Sequence, residues 1–277
     1  MRVKEIWKRL PVWLLVAISL TVTLYPLFWI LLSSIKPAEE QYMLPAYGFP
    51  NSPTFKNYKA LAGSMIPVYF KNSVIVTAVS LLGIVVLGAL AGYPLSKMRF
   101  KGREFIRNFI MLGLMVPVFV SLIPLFSIYN KMGIINTHWA LIIPKFGFAL
   151  PISMYLYMAF FDQIPDSLLE SARIDGAGSL RIFCSIILPL SRNTIVTVAI
   201  YQFVNVWNEF TFANTFISTR DMKTVPVGLN DFINSYGLRD WGLTFSAVAV
   251  TVLPTLILFF ILNKQVMSGM TAGAVKG

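Results

Sequence analysis

The sequence predicts an all-α polytopic membrane protein with six transmembrane helices, and three observations carry that prediction. Hydrophobic residues make up 56% of the 277 positions and charged residues 13%, where a soluble domain holds about a quarter charged. Six apolar runs approach the roughly 20 residues that a helix needs to cross a hydrocarbon core about 30 Å thick. The basic residues gather in the short connections between those runs, as they do where cytoplasmic loops flank spans.

The predicted spans, in order, are 12–35, 73–95, 109–129, 139–161, 194–213 and 243–262. Arg2, Lys4, Lys8 and Arg9 precede the first, and Lys97, Arg99, Lys101, Arg103 and Arg107 lie in or beside the second connection, so both segments are expected in the cytoplasm. Six crossings then put both termini inside, with 14 of the 23 Lys and Arg on the cytoplasmic side. The first run lacks a small-residue cleavage site and exceeds a signal h-region, so it reads as a retained helix. Pro26, Pro117, Pro124, Pro144, Pro151 and Pro254 fall inside spans and predict kinks. Gly88 and Gly92 form a small-xxx-small step suited to close helix packing. The whole chain, 1–277, is expected to be a single transmembrane permease domain, with a cytoplasmic loop at 162–189 and an external loop at 214–242.

The net charge of +11 does not point to nucleic acid, because the Lys and Arg are dispersed between apolar runs rather than gathered with aromatics. One cysteine, Cys184, leaves no internal disulfide, and one histidine, His138, leaves no His/Cys metal set. No phosphate-binding Gly-x-x-x-x-Gly-Lys-Ser/Thr run occurs, so no nucleotide is expected on this chain. No catalytic group and no metal site is expected either. An ion-coupled secondary transporter would carry acidic or histidine groups in several spans, whereas Glu209 is the one acid well inside any of them.

The cytoplasmic loop carries the most specific pattern. Pro165 suits a first helical turn, Asp166 and Glu170 favour its positive end, and Gly176 is placed to end the helix in a left-handed conformation. Ser179 is expected to cap a second helix. Leu168, Leu169 and Ala172 form an apolar strip in a segment with seven charged residues between Asp162 and Arg192. Such a strip needs a partner protein or the underside of the helices.

Glu170-Ser171-Ala172, Gly176, Ile186 and Leu188-Pro189 match the spacing of the Glu-Ala-Ala loop of binding-protein-dependent importer permeases, with Ser171 in place of the usual alanine. The segment therefore resembles that loop. Asn72-Ser73, Ile123-Pro124-Leu125-Phe126, Gly133-Ile134-Ile135-Asn136-Thr137, Pro226-Val227-Gly228-Leu229 and the closing Gly273-Ala274-Val275-Lys276-Gly277 extend the resemblance to the six-span sugar permeases of the maltose type.

This resemblance implies the type I importer permease fold, in the cytoplasmic membrane of a prokaryote. It implies a second permease subunit as heterodimer partner, an ATPase subunit dimer that holds ATP and Mg, and an extracytoplasmic sugar-binding protein. Sugar or oligosaccharide is the expected solute; a polyol, glycerol phosphate or another small solute is the alternative. Leu168, Leu169, Glu170, Ser171, Ala172, Asp175 and Gly176 would form the coupling contact with the ATPase. Glu170 either meets a basic residue there or charges the helix's first turn.

In the fifth span, Gln202, Asn205, Asn208 and Glu209 are polar, and 202, 205 and 209 share one helical face at i, i+3 and i+7. With Tyr201 and Trp207 as stacking surfaces they either line a sugar pathway or bond neighbouring helices. The external loop, with Thr224, Pro226 and Gly228 and a balanced set Arg220, Asp221, Lys223, Asp231, Arg239 and Asp240, either contacts the binding protein or packs as a lid.

Overall fold

Apolar run length and proline placement account for most elements of the computed structural model, which describes residues 2–232 and 240–274. Four continuous helices are long and apolar enough to cross a membrane: α1 (Arg2–Ser34, from Pro11 onward), α4 (Ile66–Lys97), α7 (Trp139–Phe161) and α14 (Trp241–Ala274, as far as Leu262). Between α1 and α4 lie the short helices α2 (Ala38–Met43) and α3 (Lys56–Ala62). These four coincide with the first, second, fourth and sixth predicted spans.

The third span is not the continuous helix expected over 109–129. Helix α5 (Arg103–Leu112) runs through a 3-10 turn to Met115, and α6 (Val118–Met132) starts again at a bend of 98°. Pro117 is the cause. It lacks an N–H, and its ring holds Val116 in an extended conformation at φ −78° and ψ 112°.

The fifth span is also broken. After α8 (Asp166–Ile174), α9 (Ser179–Ile182) passes through a π-helical turn, Phe183–Ile187, into α10 (Leu188–Leu190). The chain then bends by 76° at Ser191 into α11 (Arg192–Trp207), which is followed by the six-residue α12 (Thr211–Phe216). The segment Asn208–Phe210 interrupts the helix, a break not foreseen over 194–213. A helical turn, α13 (Val225–Gly228), and a 3-10 turn, Leu229–Phe232, complete the described part of the segment before α14. Arg239 and the closing Val275-Lys276-Gly277 lie outside the described residues.

Internal contacts divide the chain into two compact units, 1–67 with 228–253 and 68–227 with 254–277. In the first, the buried Lys36 ammonium donates to the carbonyls of Pro45 and Ala46 at 3.1 and 3.4 Å, folding the segment after α1 back on itself. Asn57 Nδ2 donates to the Ser34 and Lys36 carbonyls, both at 2.9 Å, and Asp240 caps α14 by accepting the Leu243 N–H at 2.9 Å. Side chains from Val12 to Leu24 on α1 stand exposed around the helix, as a surface meant for lipid or a protein partner requires.

In the second unit α7 is the central element, buried through Leu141, Met154, Tyr157, Met158 and Phe161. Helix α4 approaches it through glycines. A Cβ on Gly88 would stand 3.1 Å from Ser153 Cβ, and one on Gly92 would stand 3.1 Å from Tyr157 Cβ. Gly83 also faces α7, since a Cβ there would run into the Phe146 ring. Small residues are what let two helices approach this closely.

Candidate coupling loop and polar faces

The loop at 162–189 folds as the turn chemistry dictates. Pro165 stands at the N-cap of α8, Asp175 at its C-cap, and Gly176 follows at φ +81°, where glycine escapes the Cβ penalty. Ala177 N–H returns to the Ala172 carbonyl at 2.9 Å and closes the turn. One local expectation is corrected: Gly178 occupies the N-cap of α9 at φ −70° and ψ 162°, and Ser179 is the first helical residue. Ser179 makes no capping hydrogen bond. Gly178 reaches the extended cap geometry directly, which shifts the helix start by one residue.

The apolar strip of α8 splits between inside and outside. Leu169 is buried and packs with Ile164, Ile182 and Phe183, with Ala172 beside them, whereas Leu168, Ile174 and Leu180 are exposed. Glu170, Ser171 and Asp175 are exposed too. The helix is also held by charge: Lys97, at the end of α4, donates to Asp166 Oδ1 at 2.7 Å and to the Ile164 carbonyl at 2.6 Å. That hydrogen bond, and then the ammonium's charge, hold the Asp166 carboxyl below its usual range. The pair therefore persists at neutral pH and is lost as pH falls through that lowered range. A cavity of about 490 Å³ opens here, lined by Lys97, Arg99, Asp166, Glu170 and Arg173 among others.

The polar residues of the fifth span separate differently from the expected face. Because α11 ends at Trp207 with Asn208 as C-cap, Glu209 lies beyond the helix and does not continue the face of Gln202 and Asn205. Gln202 is buried and donates to Ser153 Oγ at 2.9 Å, so it joins α11 to α7. Trp207 is buried as well, stacked on Phe203 with centroids 5.7 Å apart and edge-on to Phe70. Tyr201, Asn205 and Asn208 form the exposed face, at i, i+4 and i+7. The two amides donate to the Tyr201 and Val204 carbonyls at 2.8 and 2.9 Å.

Glu209 instead serves α12: its Oε1 accepts the Phe212 N–H at 2.7 Å and its Oε2 the Ala213 N–H at 3.1 Å. It also faces Lys145 of α7, Nζ to Oε1 4.0 Å, with both side chains largely buried. Lys145 was not among the candidates read from the sequence. The signal was present, because Lys145 and Glu209 are the one basic and the one acidic residue inside the six apolar runs.

The stretch expected to be external is tied down rather than presented as a tip. Asn72 Nδ2 donates to the carbonyls of Asp221 and Lys223 at 2.7 and 2.9 Å, and Ser73 Oγ accepts the Val225 N–H at 2.9 Å. Thr224, Val225, Val227 and Gly228 are buried, with Pro226 half-buried, while Ser218, Thr219, Arg220 and Asp221 are exposed. Asn136, at φ +61°, clamps the segment before them: its Oδ1 accepts the N–H groups of Ser218 and Thr219 at 3.0 and 3.1 Å. Gly133, at φ +68°, ends α6 just ahead of it.

With this geometry in hand, the similarities of the chain are informative. The family described as binding-protein-dependent transport system inner membrane component matches residues 84–271. The probable ABC transporter permease protein YurM of Bacillus subtilis is 35% identical, over 96% of this chain and 88% of its own length. The galactooligosaccharides transport system permease protein GanQ of the same organism is 35% identical over 100% and 99% of the two chains. The trehalose/maltose transport system permease protein MalG of Thermococcus litoralis is 34% identical over 99% of both. The fold is similar to that of a chain in the crystal structure of a bacterial ABC transporter involved in the import of the acidic polysaccharide alginate. There the TM-score is 0.81, at 20% identity and with 95% and 98% of the two chains covered.

Proposed function

We propose that this chain, which belongs to the family of binding-protein-dependent transport system inner membrane components, passes an oligosaccharide inward while partner subunits hydrolyse ATP. It is a multi-pass permease subunit of an ABC importer. Relatives named for galactooligosaccharides and for trehalose or maltose support a neutral oligosaccharide as the solute. The polyol and glycerol phosphate alternatives have no such support among those relatives.

The single observation that carries the coupling role is the two-sided α8. Its inner side, Leu169 with the Lys97–Asp166 pair, fastens it to the end of α4. Its outer side offers Leu168, Glu170 and Ile174 to solvent. A short helix fastened in this way transmits force from an ATPase surface to a membrane helix. The exposed Tyr201, Asn205 and Asn208 supply the second half of the reading. Amide groups are costly against lipid, so this face suits a solute pathway or a second permease, with a heterodimer and a dimeric ATPase as the working assembly. ATP and Mg would sit on the ATPase partners, both termini in the cytoplasm, and the sugar-binding protein outside.

The test is co-expression with the neighbouring gene products, followed by purification and proteoliposome uptake of labelled disaccharides and trisaccharides of glucose and galactose. The complex is expected to take up at least one of them when supplied with internal MgATP and an external binding protein. Isolated chain that hydrolyses ATP, or transports sugar unaided, would refute the assignment.

A further inference from the structure

The six apolar runs hold one acid and one base, and the fold brings them to the same place. Glu209 stands in the Asn208–Phe210 interruption, where α11 has ended and α12 has not begun. The two N–H groups at the start of α12 have no partner within their own helix, and the Glu209 carboxylate accepts both, at 2.7 and 3.1 Å. Lys145 approaches the same Oε1 to 4.0 Å and places its ammonium 5.2 Å from the centre of the Phe212 ring. The ion pair of Lys145 thus lands on the break and its ring contact on α12.

The surroundings say what this pair does not do. Ser73, Thr77, Trp207 and Thr224 close around it and leave a cavity of about 10 Å³, too small for a sugar ring. Both carboxylate oxygens already accept an N–H of α12, and the space beside them admits no sugar ring. Ser73 and Thr224 in that wall belong to the segment where the external stretch is tied to the head of α4. The pair therefore sits where α4, α7 and the broken fifth span meet within one compact unit.

We propose that Lys145 and Glu209 form an intramembrane clamp that fixes the α11–α12 break against α7, so that they are positioning residues of the transport cycle and not ligands of the solute. A charge buried at membrane depth is expensive when alone and tolerable when paired. Loss of either member therefore does more harm than loss of both. The clamp acts on transport and so rests on the importer reading for its role, although the pairing itself is measurable without transport.

The experiment is a double-mutant cycle on the purified importer complex with Lys145→Met, Glu209→Gln and the double variant. Each single variant is expected to lower the thermal unfolding midpoint by about 5 °C or more, with the double variant recovering part of the loss. In proteoliposomes, using the labelled sugar that the unaltered complex takes up best, each single variant is expected to lower maximal uptake about tenfold. The concentration for half-maximal uptake is expected to stay within about twofold.

Additive thermal shifts would overturn the clamp, and so would a harmless Lys145→Met beside a damaging Glu209→Gln. A rise of about tenfold in the half-maximal concentration with unchanged maximal uptake would make Glu209 a solute ligand and also overturn it. An unaltered complex that moves no sugar would refute the importer reading and leave the thermal cycle to decide the pairing.

Discussion

At Gly176 the backbone stands at φ +81° with nothing within 4 Å of the place a Cβ would occupy, so a substitution there tests backbone conformation alone. Gly176→Val is expected to cost about 1–2 kcal/mol locally, because a β-branched residue opposes the left-handed turn between α8 and α9. The measurement is sugar uptake beside co-purification of the ATPase. Uptake should fall while the complex still assembles, and full uptake would show that the turn plays no part in coupling. Asn136 makes the contrasting case, since its positive φ comes with a side chain that accepts two backbone N–H groups. Asn136→Gly keeps the conformation and loses the clamp, whereas Asn136→Ala loses both. Amide hydrogen exchange at Ser218 and Thr219 should accelerate in both variants, with the thermal midpoint falling further for alanine. Equal midpoints would show that backbone strain contributes little at this site.

Between α4 and α7 the contact depends on glycines spaced along one helix, and the space at each differs enough to predict an order. Gly88→Leu should block assembly, because even a Cβ meets Ser153 and Tyr157 at 3.1 and 3.2 Å. Gly147→Ala in α7, where nothing lies within 4 Å, should be neutral or slightly stabilising through helix propensity. The readout is the yield of complex from membranes, and loss of complex with Gly147→Ala would contradict the packing described. These elements differ in how far they were legible in the sequence. Hydropathy reveals a continuous span because each residue adds to one signal, so α1, α4, α7 and α14 were readable. It does not register a break whose flanks are as apolar as the rest, which is why the 98° bend at Val116–Pro117 was expected only as a kink. Asn208 and Glu209 were visible as polar residues, yet their spacing was read on an unbroken helix, and the interruption moved Glu209 off that face. Lys145 was hidden by its neighbours, a single charge in a run apolar enough to pass as an ordinary span.

At the scale of the whole molecule, the proposed coupling needs a surface on each side of the membrane, and the second unit offers two candidates made of different material. The first, α8, is a helix held by buried Leu169 and a salt bridge. The second is a clamped strip, Ser218–Asp221, exposed on its side chains and anchored through its backbone to Asn136 and Asn72. The stretch 225–228 is a poor probe of binding-protein contact, because deleting it removes buried Val225 and Val227 and disturbs the fold. Ser218→Trp and Asp221→Lys change exposed side chains and leave the anchoring N–H and carbonyl groups in place. If the binding protein rests on this strip, each variant should lower the ATP hydrolysis it stimulates by about five- to tenfold, typical of a lost central contact, with basal hydrolysis unchanged. Val225→Ala should do the reverse, lowering complex yield through a buried cavity at about 1–2 kcal/mol while stimulation per assembled complex persists. Full stimulation in Ser218→Trp would remove the strip from the binding-protein interface and leave it as a cover tied over the head of α4 and the end of α12.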